Sequence, residues 1–493
     1  MLYLESFGNP RKFARTARQV GRTMPILAVN AGRSAKGKRL AAARAPATVP
    51  RPLTRQALFE QAGVIATANF GELLDAAALL ASQPVPAGSR VAVVSNTRGA
   101  AILAADACDD AGLQAARLAA DTQRALRDVL PAGAAVAGPV DTGGLIAPSG
   151  FRRCLELVGA DPGVDAVLAL TATTGASDLV PQVPAARLPV PIAVVVMDQV
   201  EGVRLLPGPD EDSPPVPAYA YPESAVRALG HAVRYGMWRA TPQGRVPDLD
   251  GLRKEQASEL VAGFLAGTPD GGWLALDSTS ELLGCYGVPL AYGTAVTTEG
   301  AVIAAAARIG GPVMLMADVP GLVRNSEAGT VLPDLHGTDD VRREFCSLRE
   351  RFADRMAAVV VQPMTTSGVQ VTISVLQEQL FGPLMLFGLG VATDALADRA
   401  ARPAPLTDSD ADDLIRSVPG ARRLLGRPGA PATDLAALRD MLLPVSQMVD
   451  HLPQVAELEL SPVVARPNDA QVTDARIRIQ AAEHADAYLR RLR

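Results

Sequence analysis

The sequence predicts an α/β protein built on parallel sheets, and three observations lead there. Short β-branched runs alternate with alanine-rich helical stretches, the pattern of repeated βαβ units. The strand candidates at 25–30, 91–95, 164–170 and 192–197 are apolar almost throughout, as strands covered on both faces are. A chain of 493 residues exceeds what one core supports and divides into two or three domains.

Taken in order, 1–5 reads as a strand and 10–21 as the helix after it, followed by one further strand and helix. Two βα units cannot close a doubly wound sheet. Residues 1–56 are therefore expected to form an incomplete domain whose strands at Tyr3 and Ile26 expose apolar faces and unpaired edges. A second α/β domain is placed at 57–206. Residues 207–222, PGPDEDSPPVPAYAYP, are rich in proline and acid and read as a linker. With the helix at 223–238 they fill 207–273, up to a second break at 268–272. The last domain runs from 274 to 493. Within it an apolar β-rich segment at 384–389 meets Gly388 and Gly390, and Asp394 and Asp398 follow four residues apart. A helix over 393–401 would put both carboxylates on one face. Two readings fit: a nucleotide-site loop, or a strand, a glycine turn and a solvated helix.

The net charge of -5 argues against a nucleic-acid footprint. No uninterrupted apolar span reaches transmembrane length. Glu5, Arg11, Lys12 and Arg15 stand where a signal peptide needs its apolar stretch, so a cytoplasmic location is expected. Cys108, Cys154, Cys285 and Cys346 form no ligand-spaced pair and are expected as buried free thiols. The only lysines are Lys12, Lys36, Lys38 and Lys254, so the last domain has none.

Several blocks in one order carry a resemblance: YLESFGNPRKFARTAR (3–18), RVAVVSNTRGAAILAADACDDAGL (90–113), ELLGCYGVPL (281–290), VVVQPM (359–364), LFGPLMLFGLGVATDALADRAARPAPL (380–406) and AELELSPVV (456–464). Together they resemble the NDP-forming acyl-CoA synthetases (acetate–CoA ligase, ADP-forming). The resemblance implies flavodoxin-like, doubly wound domains followed by an ATP-grasp domain. It makes 1–56 the end of a succinyl-CoA-ligase-like flavodoxin domain, 57–206 a second flavodoxin-like domain and 274–493 the ATP-grasp domain. It also implies a CoA-binding domain and half of a flavodoxin-like domain ahead of residue 1. A fragment, a misplaced start or a second polypeptide that completes the sheet would each account for this.

Site residues follow from the same resemblance. The family passes a phosphoryl group through a histidine in a loop after a Gly-Arg-Ser segment. Gly32, Arg33 and Ser34 are present here, but 44–52 holds no histidine. The four histidines, His231, His336, His451 and His484, lie elsewhere. The small-lobe lysine that pairs with nucleotide phosphates is replaced by Met316, and a thioether cannot supply its charge. Arg324 opens the degenerate phosphate loop. Val361, Gln362 and Met364 form the hinge expected to hold adenine. Gln370, Asp394 and Asp398 complete the implied nucleotide set. For Mg²⁺, which needs hard oxygen ligands, the implied ligands are Glu459 and Ser461. ATP and Mg²⁺ are the implied cofactors, nucleotide and acyl-CoA the implied partners, and no catalytic residue is assigned. Outside this set, the turn Ser95-Asn-Thr-Arg-Gly99 joins a buried strand to a helix. It is expected to be a plain βα turn capped by Ser95 or Asn96, with an anion site as the other reading.

Three function classes remain open. The chain is an acyl-CoA ligase, active with a completing polypeptide; a nucleotide- or acyl-CoA-binding protein with weak or no turnover, a pseudoenzyme; or a regulatory or structural module. Residues 221–239, YPESAVRALGHAVRYGMWR, resemble actinobacterial proteins in which such a region is joined to a GNAT-type protein acetyltransferase, which favours a regulatory role.

Overall fold

A computed structural model describes residues 1–4, 9–30, 52–174, 178–291, 293–319, 329–364, 368–378, 381–390, 399–426 and 431–482. The chain divides into two compact units, 1–49 with 59–242 and 50–58 with 243–493.

The first unit holds two sheets. Strands β1 (Leu2–Leu4), β2 (Ile26–Asn30) and β3 (Val64–Thr67) pair in parallel in that order. The helix Pro10–Gly21 begins where Asn9 accepts the Lys12 amide at 2.9 Å and Pro10 fits the first turn. The strand at Ile26 is not left without a core, contrary to the sequence expectation. Leu27 and Val29, with Ile65, pack on Leu73 and Ala76 of helix Phe70–Ser82 and on Tyr235 of helix Pro222–Ala240. Local pattern gives no sign of this, because the covering helix lies two hundred residues downstream. At the edge, Tyr3 is exposed.

The second sheet comprises β4 (Arg90–Ser95), β5 (Gln114–Ala115), β6 (Val140–Asp141), β7 (Ala166–Thr171), β8 (Ile192–Val196), β9 (Val203–Leu206) and β10 (Val216–Tyr219). Its order is β5-β4-β7-β8-β10-β9, with β6 beside the end of β4. Both faces are covered. Val94, Val167 and Ala169 meet helices Ala120–Val129 and Pro148–Gly159, while Val93, Leu168 and Leu170 meet helices Arg98–Asp110 and Pro222–Ala240. The stretch read as a linker contains β10, a buried strand between β8 and antiparallel β9. Its prolines fall in the β9–β10 loop, within β10 at Pro217 and at the start of the next helix at Pro222, so they punctuate the sheet without separating domains.

The second unit also holds two sheets. The smaller is antiparallel, ordered β12-β15-β13-β14, from β12 (Thr294–Val296), β13 (Val313–Asp318), β14 (Val331–Leu335) and β15 (Ala358–Pro363). The larger takes β11 (Gly272–Trp273), β16 (Val369–Glu378), β17 (Gly382–Leu389), β18 (Arg399–Pro403), β19 (Val455–Ala465), β20 (Ala470–Val472) and β21 (Ala475–Ile479). Its order is β11-β21-β19-β16-β17-β18, with β20 on β19. One face, through Ile373, Phe387, Leu460 and Ile477, packs on helices Asp408–Ser417 and Leu435–His451. On the other face, Leu53 and Ala57 of helix Pro52–Ala62 cover Leu384, Leu386 and Ala401, and buried Thr54 donates to Glu378 Oε1 at 3.0 Å.

The helix proposed over 393–401 does not extend to its end. Residues 399–403 form edge strand β18, pairing with 384–388, where Pro403 lacks a donor that no neighbour needs. Residues 391–398, and with them Asp394 and Asp398, lie outside the described residues. Among the described residues no helix is long and apolar enough to cross a membrane.

Candidate nucleotide site

In the smaller sheet, alternation sorts side chains onto two faces. Val313, Leu315, Ala317, Val359 and Val361 point to helices Glu299–Ile309 and Gly337–Phe352. Met314, Met316 and Asp318 of β13, and Val360 and Gln362 of β15, take the opposite face. Met316 is 4% exposed and packs with Val360, Leu276, Met314 and Val331. The buried Gln362 amide lies 3.7 Å from its sulfur. Leu290 touches both this cluster and the core of the larger sheet, linking the two. Among the described residues, no cation stands on this face of β13 or β15.

Of the hinge residues, only Gln362 presents its side chain beside Met316. Val361 belongs to the helix-side core, and its backbone pairs with Thr294 and Leu315 within the sheet. Gly293 abuts the Val361 carbonyl so closely that a Cβ would overlap it. The Met364 amide donates to Pro312 O at 2.9 Å, tying the hinge to the start of β13. Arg324 lies outside the described residues. A cavity of about 320 Å³ lined by Ala306, Pro312, His336 and Thr338 opens on the helix side of β13, away from Met316.

The larger sheet carries polar side chains on the face away from helices Asp408–Ser417 and Leu435–His451, beside the part that helix Pro52–Ala62 covers. Thr372 donates to Gly390 O at 2.8 Å, and its hydroxyl lies 3.0 Å from that of Ser461. Gln370 holds Gly390 through its carbonyl, at 2.7 Å from the glycine amide. Ser374 pairs across strands with Glu459, and Glu459 with Arg476. Arg476 stacks over Trp273 at 4.2 Å from the ring centroid. From the far edge, Arg399 reaches Ser374 Oγ at 3.1 Å. Its stem lies across Gly388, where a Cβ would press on it at 3.1 Å. Next to this row Arg478 pairs with Glu457 at 2.8 Å. Among the described residues no group of three or more His, Cys, Asp or Glu could hold a metal ion.

These arginines escaped the sequence reading, which sought charge at the lysine position. Part of the signal was available: ARIRI in β21 and ELELS in β19 each alternate, which puts both arginines on one face of their strand and both glutamates on one face of theirs, and the register then sets them opposite each other.

The described histidines are all engaged. His231 lies 2.6 Å from Glu72 Oε1 and 2.8 Å from Arg234 Nη2. Because a guanidinium only donates, Nδ1 accepts and Nε2 donates to the carboxylate, which fixes a neutral tautomer. His451 Nδ1 meets the Tyr286 hydroxyl at 2.6 Å, and His336 meets Asp334 at 3.0 Å. His484 and the segment 31–51 are outside the described residues. Three of the cysteines are buried free thiols as expected, but Cys346 is exposed, on the outward side of its helix.

The turn after β4 differs from expectation in its cap. The helix starts at Thr97, and no side chain caps it. Ser95 Oγ accepts the Thr97 amide itself, at 3.0 Å. Asn96 is occupied by the neighbouring strand end, donating to Ala172 O at 2.9 Å and accepting from Ala172 N at 2.8 Å.

Comparison with known proteins agrees with this architecture. Family profiles match a succinyl-CoA ligase like flavodoxin domain at 1–80, a ligase-CoA domain at 91–199 and an ATP-grasp domain at 267–479. The chain is 31% identical to an acetate–CoA ligase [ADP-forming] of Archaeoglobus fulgidus, over 97% of this chain and 69% of that protein. It is 25% identical to a 4-hydroxybutyrate–CoA ligase [ADP-forming] of Nitrosopumilus maritimus, over 97% and 70%. A solved dinucleotide-forming acetyl-coenzyme A synthetase of Ca. Korarchaeum cryptofilum, in complex with coenzyme A and Ca-AMPCP, aligns to 45% of this chain and 100% of its own. The identity is 27% and the TM-score 0.42.

Proposed function

The chain belongs to the ADP-forming acetate–CoA ligase family, and from that premise we propose that it binds ATP and acyl-CoA with little or no ligase turnover of its own. One observation carries the reading: Met316, where the resemblance puts the phosphate-binding lysine, is buried in an apolar cluster. An ammonium there would contact nucleotide phosphate, whereas a thioether among Val360, Leu276 and Val331 offers only packing. The engaged histidines support the same conclusion, since phosphoryl transfer needs a nitrogen free to attack and release. The retained hinge and sheets support binding. Such a protein would report nucleotide or acyl-CoA levels to a partner, such as an acetyltransferase or a chain carrying the CoA-binding domain.

Calorimetric titration with ATP, Mg²⁺ and acetyl-CoA, run beside a coupled assay for acyl-CoA formation, tests this. Binding without turnover is the expected result. Steady acetyl-CoA formation from acetate, CoA and ATP that is lost in Glu459→Ala would overturn it in favour of an active ligase.

A further inference from the structure

We propose that the free edge of β9 in the first unit is a strand-addition site, where an extended segment of a partner protein, carrying one acidic residue among apolar ones, pairs antiparallel and seats an apolar side chain in the neighbouring pocket. The inference concerns the first unit alone and does not depend on nucleotide binding.

Strand β9 is the outermost strand of its sheet and pairs with β10 alone. The phase of that ladder is fixed by the Ala220 amide, which donates to Gly202 O at 3.1 Å. Hydrogen-bonded and open pairs alternate in an antiparallel ladder, so residues 204 and 206 bond to β10 while Val203 and Leu205 turn their N–H and C=O groups outward. Pro217, which has no N–H, stands opposite Leu205, where the ladder needs no donor. Among the described residues nothing donates to or accepts from those four outward groups. Leu205 is 48% exposed and its neighbour Arg204 is exposed as well, so solvent reaches both faces of the strand at this edge. Such a row of unpaired groups is a template for one more strand.

The side chains beside the edge state which strand fits. Residues paired with Arg204 and Leu206 share a face with them. On that face, at the end of β9, an open pocket of about 320 Å³ is lined by Val180, Pro181, Pro184, Leu206, Pro207 and Pro209. It takes an apolar side chain from the residue opposite Leu206. Arg204 is the one charged residue of β9; its Nε donates to Gln199 Oε1 at 2.9 Å, and among the described residues no carboxylate pairs with it. The residue opposite it is therefore acidic. Glu201 precedes the strand, and Asp210, Glu211 and Asp212 follow it, with Asp210 paired to Arg187. On the other face Val203 packs against the core and Leu205 is bare, which suits β-branched residues opposite both. From its amino end the segment then reads apolar, β-branched, acidic, β-branched. A second copy of this chain is a poor occupant: pairing Val203 of one copy with Leu205 of the other sets two Arg204 side chains directly opposite each other, like charges at cross-strand distance. The same guanidinium that receives an acidic strand guards the edge against self-pairing.

The test is fluorescence polarisation of the full chain with a dye-labelled probe peptide, Ser-Leu-Val-Glu-Val-Ser amide. Saturable binding below about 1 mM is expected. N-methylation of both probe valines, whose N–H groups face β9, should weaken it about tenfold or more, whereas N-methylation of the probe glutamate, whose N–H points away, should leave it nearly unchanged. A probe with lysine for glutamate should bind about threefold or more weakly, and Arg204→Glu should reverse that preference. Leu205→Pro removes one outward donor and no bond to β10, so it should weaken the probe while far-UV circular dichroism stays native; the N-methyl probes need no variant and decide the matter if it does not. No saturable binding, or binding indifferent to valine N-methylation, overturns the strand-addition site. A native dimer in sedimentation velocity that Arg204→Glu or Leu205→Pro dissociates assigns the edge to a second copy and overturns the acidic partner.

Discussion

Replacing Met316 by lysine puts the residue that the resemblance implies into an apolar cluster. Met316 is 4% exposed and surrounded by Leu276, Val360, Met314 and Val331. Burying a methionine contributes about 1.5–3 kcal/mol. The lysine stem recovers part of that, but its ammonium must shed water or displace the cluster to escape, at an effective cost of several kcal/mol. The net loss in unfolding free energy without ligand is expected to be about 2–4 kcal/mol. Nucleotide should return much of it, because a charge-assisted bond to phosphate contributes about 1.5–3 kcal/mol, roughly tenfold or more in affinity. Met316→Leu is the packing control and should cost less than about 1.5 kcal/mol with no change in ATP affinity. The assay is urea unfolding with and without Mg-ATP, beside direct titration. A lysine variant as stable as the native protein, with unchanged ATP affinity, would show that Met316 faces neither an apolar cluster nor a phosphate, and the face assignment would be wrong.

Three further outcomes are expected. Gly63 has φ +68° and its Cβ position falls inside the Trp238 indole, so Gly63→Ala combines left-handed backbone strain with overpacking and should cost about 2–5 kcal/mol, read by thermal unfolding and tryptophan fluorescence. The hydrogen bond from His231 holds the Glu72 carboxyl below its usual 4.5; a depressed carboxylate stabilises the fold above that value and loses its contribution as pH falls below it. Glu72→Gln should therefore cost about 1.5 kcal/mol at pH 7, with its unfolding curve approaching the native one towards pH 3; a constant gap across that range refutes the coupling. Burial pushes the Cys108 and Cys154 thiols up to about 11, and Cys285 is also raised. Ellman's reagent at pH 8 should then find one fast thiol per native chain, Cys346, and four after denaturation.

How far the sequence foretold the structure depends on how locally each feature is determined. Strands such as 91–95 and 192–197 are legible because continuous apolar runs have few alternatives, and Pro10–Gly21 because Asn9 and Pro10 mark its start. The strand Val216–Tyr219 was hidden by the prolines before it and by Pro217 within it, although burial between β8 and β9 fixes it regardless of local composition. Arg399 was taken into a helix because ADRAAR has helical propensity. The free edge of β17, which no local window contains, makes it a strand. The site followed the same logic: residue identity showed that Met316 is no lysine, but only cross-strand register could bring Arg399, Ser374, Glu459 and Arg476 into one row.

Asn96 has a consequence for the first unit. Its carboxamide gives and takes a hydrogen bond with the same residue, Ala172, as a peptide group in a ladder does, and it sits where β4 and β7 have just ended. A side chain thus impersonates one more backbone rung. The segments leaving the two strands are welded at their roots, so Thr97 and Thr173 cannot shift independently without breaking a buried pair of bonds. Loops at the carboxyl ends of parallel strands usually owe their freedom to the ladder stopping there. Here the stiffness of the sheet is carried one residue past its hydrogen-bonded end, and asparagine, the smallest side chain with an amide's donor and acceptor, is the residue that can carry it.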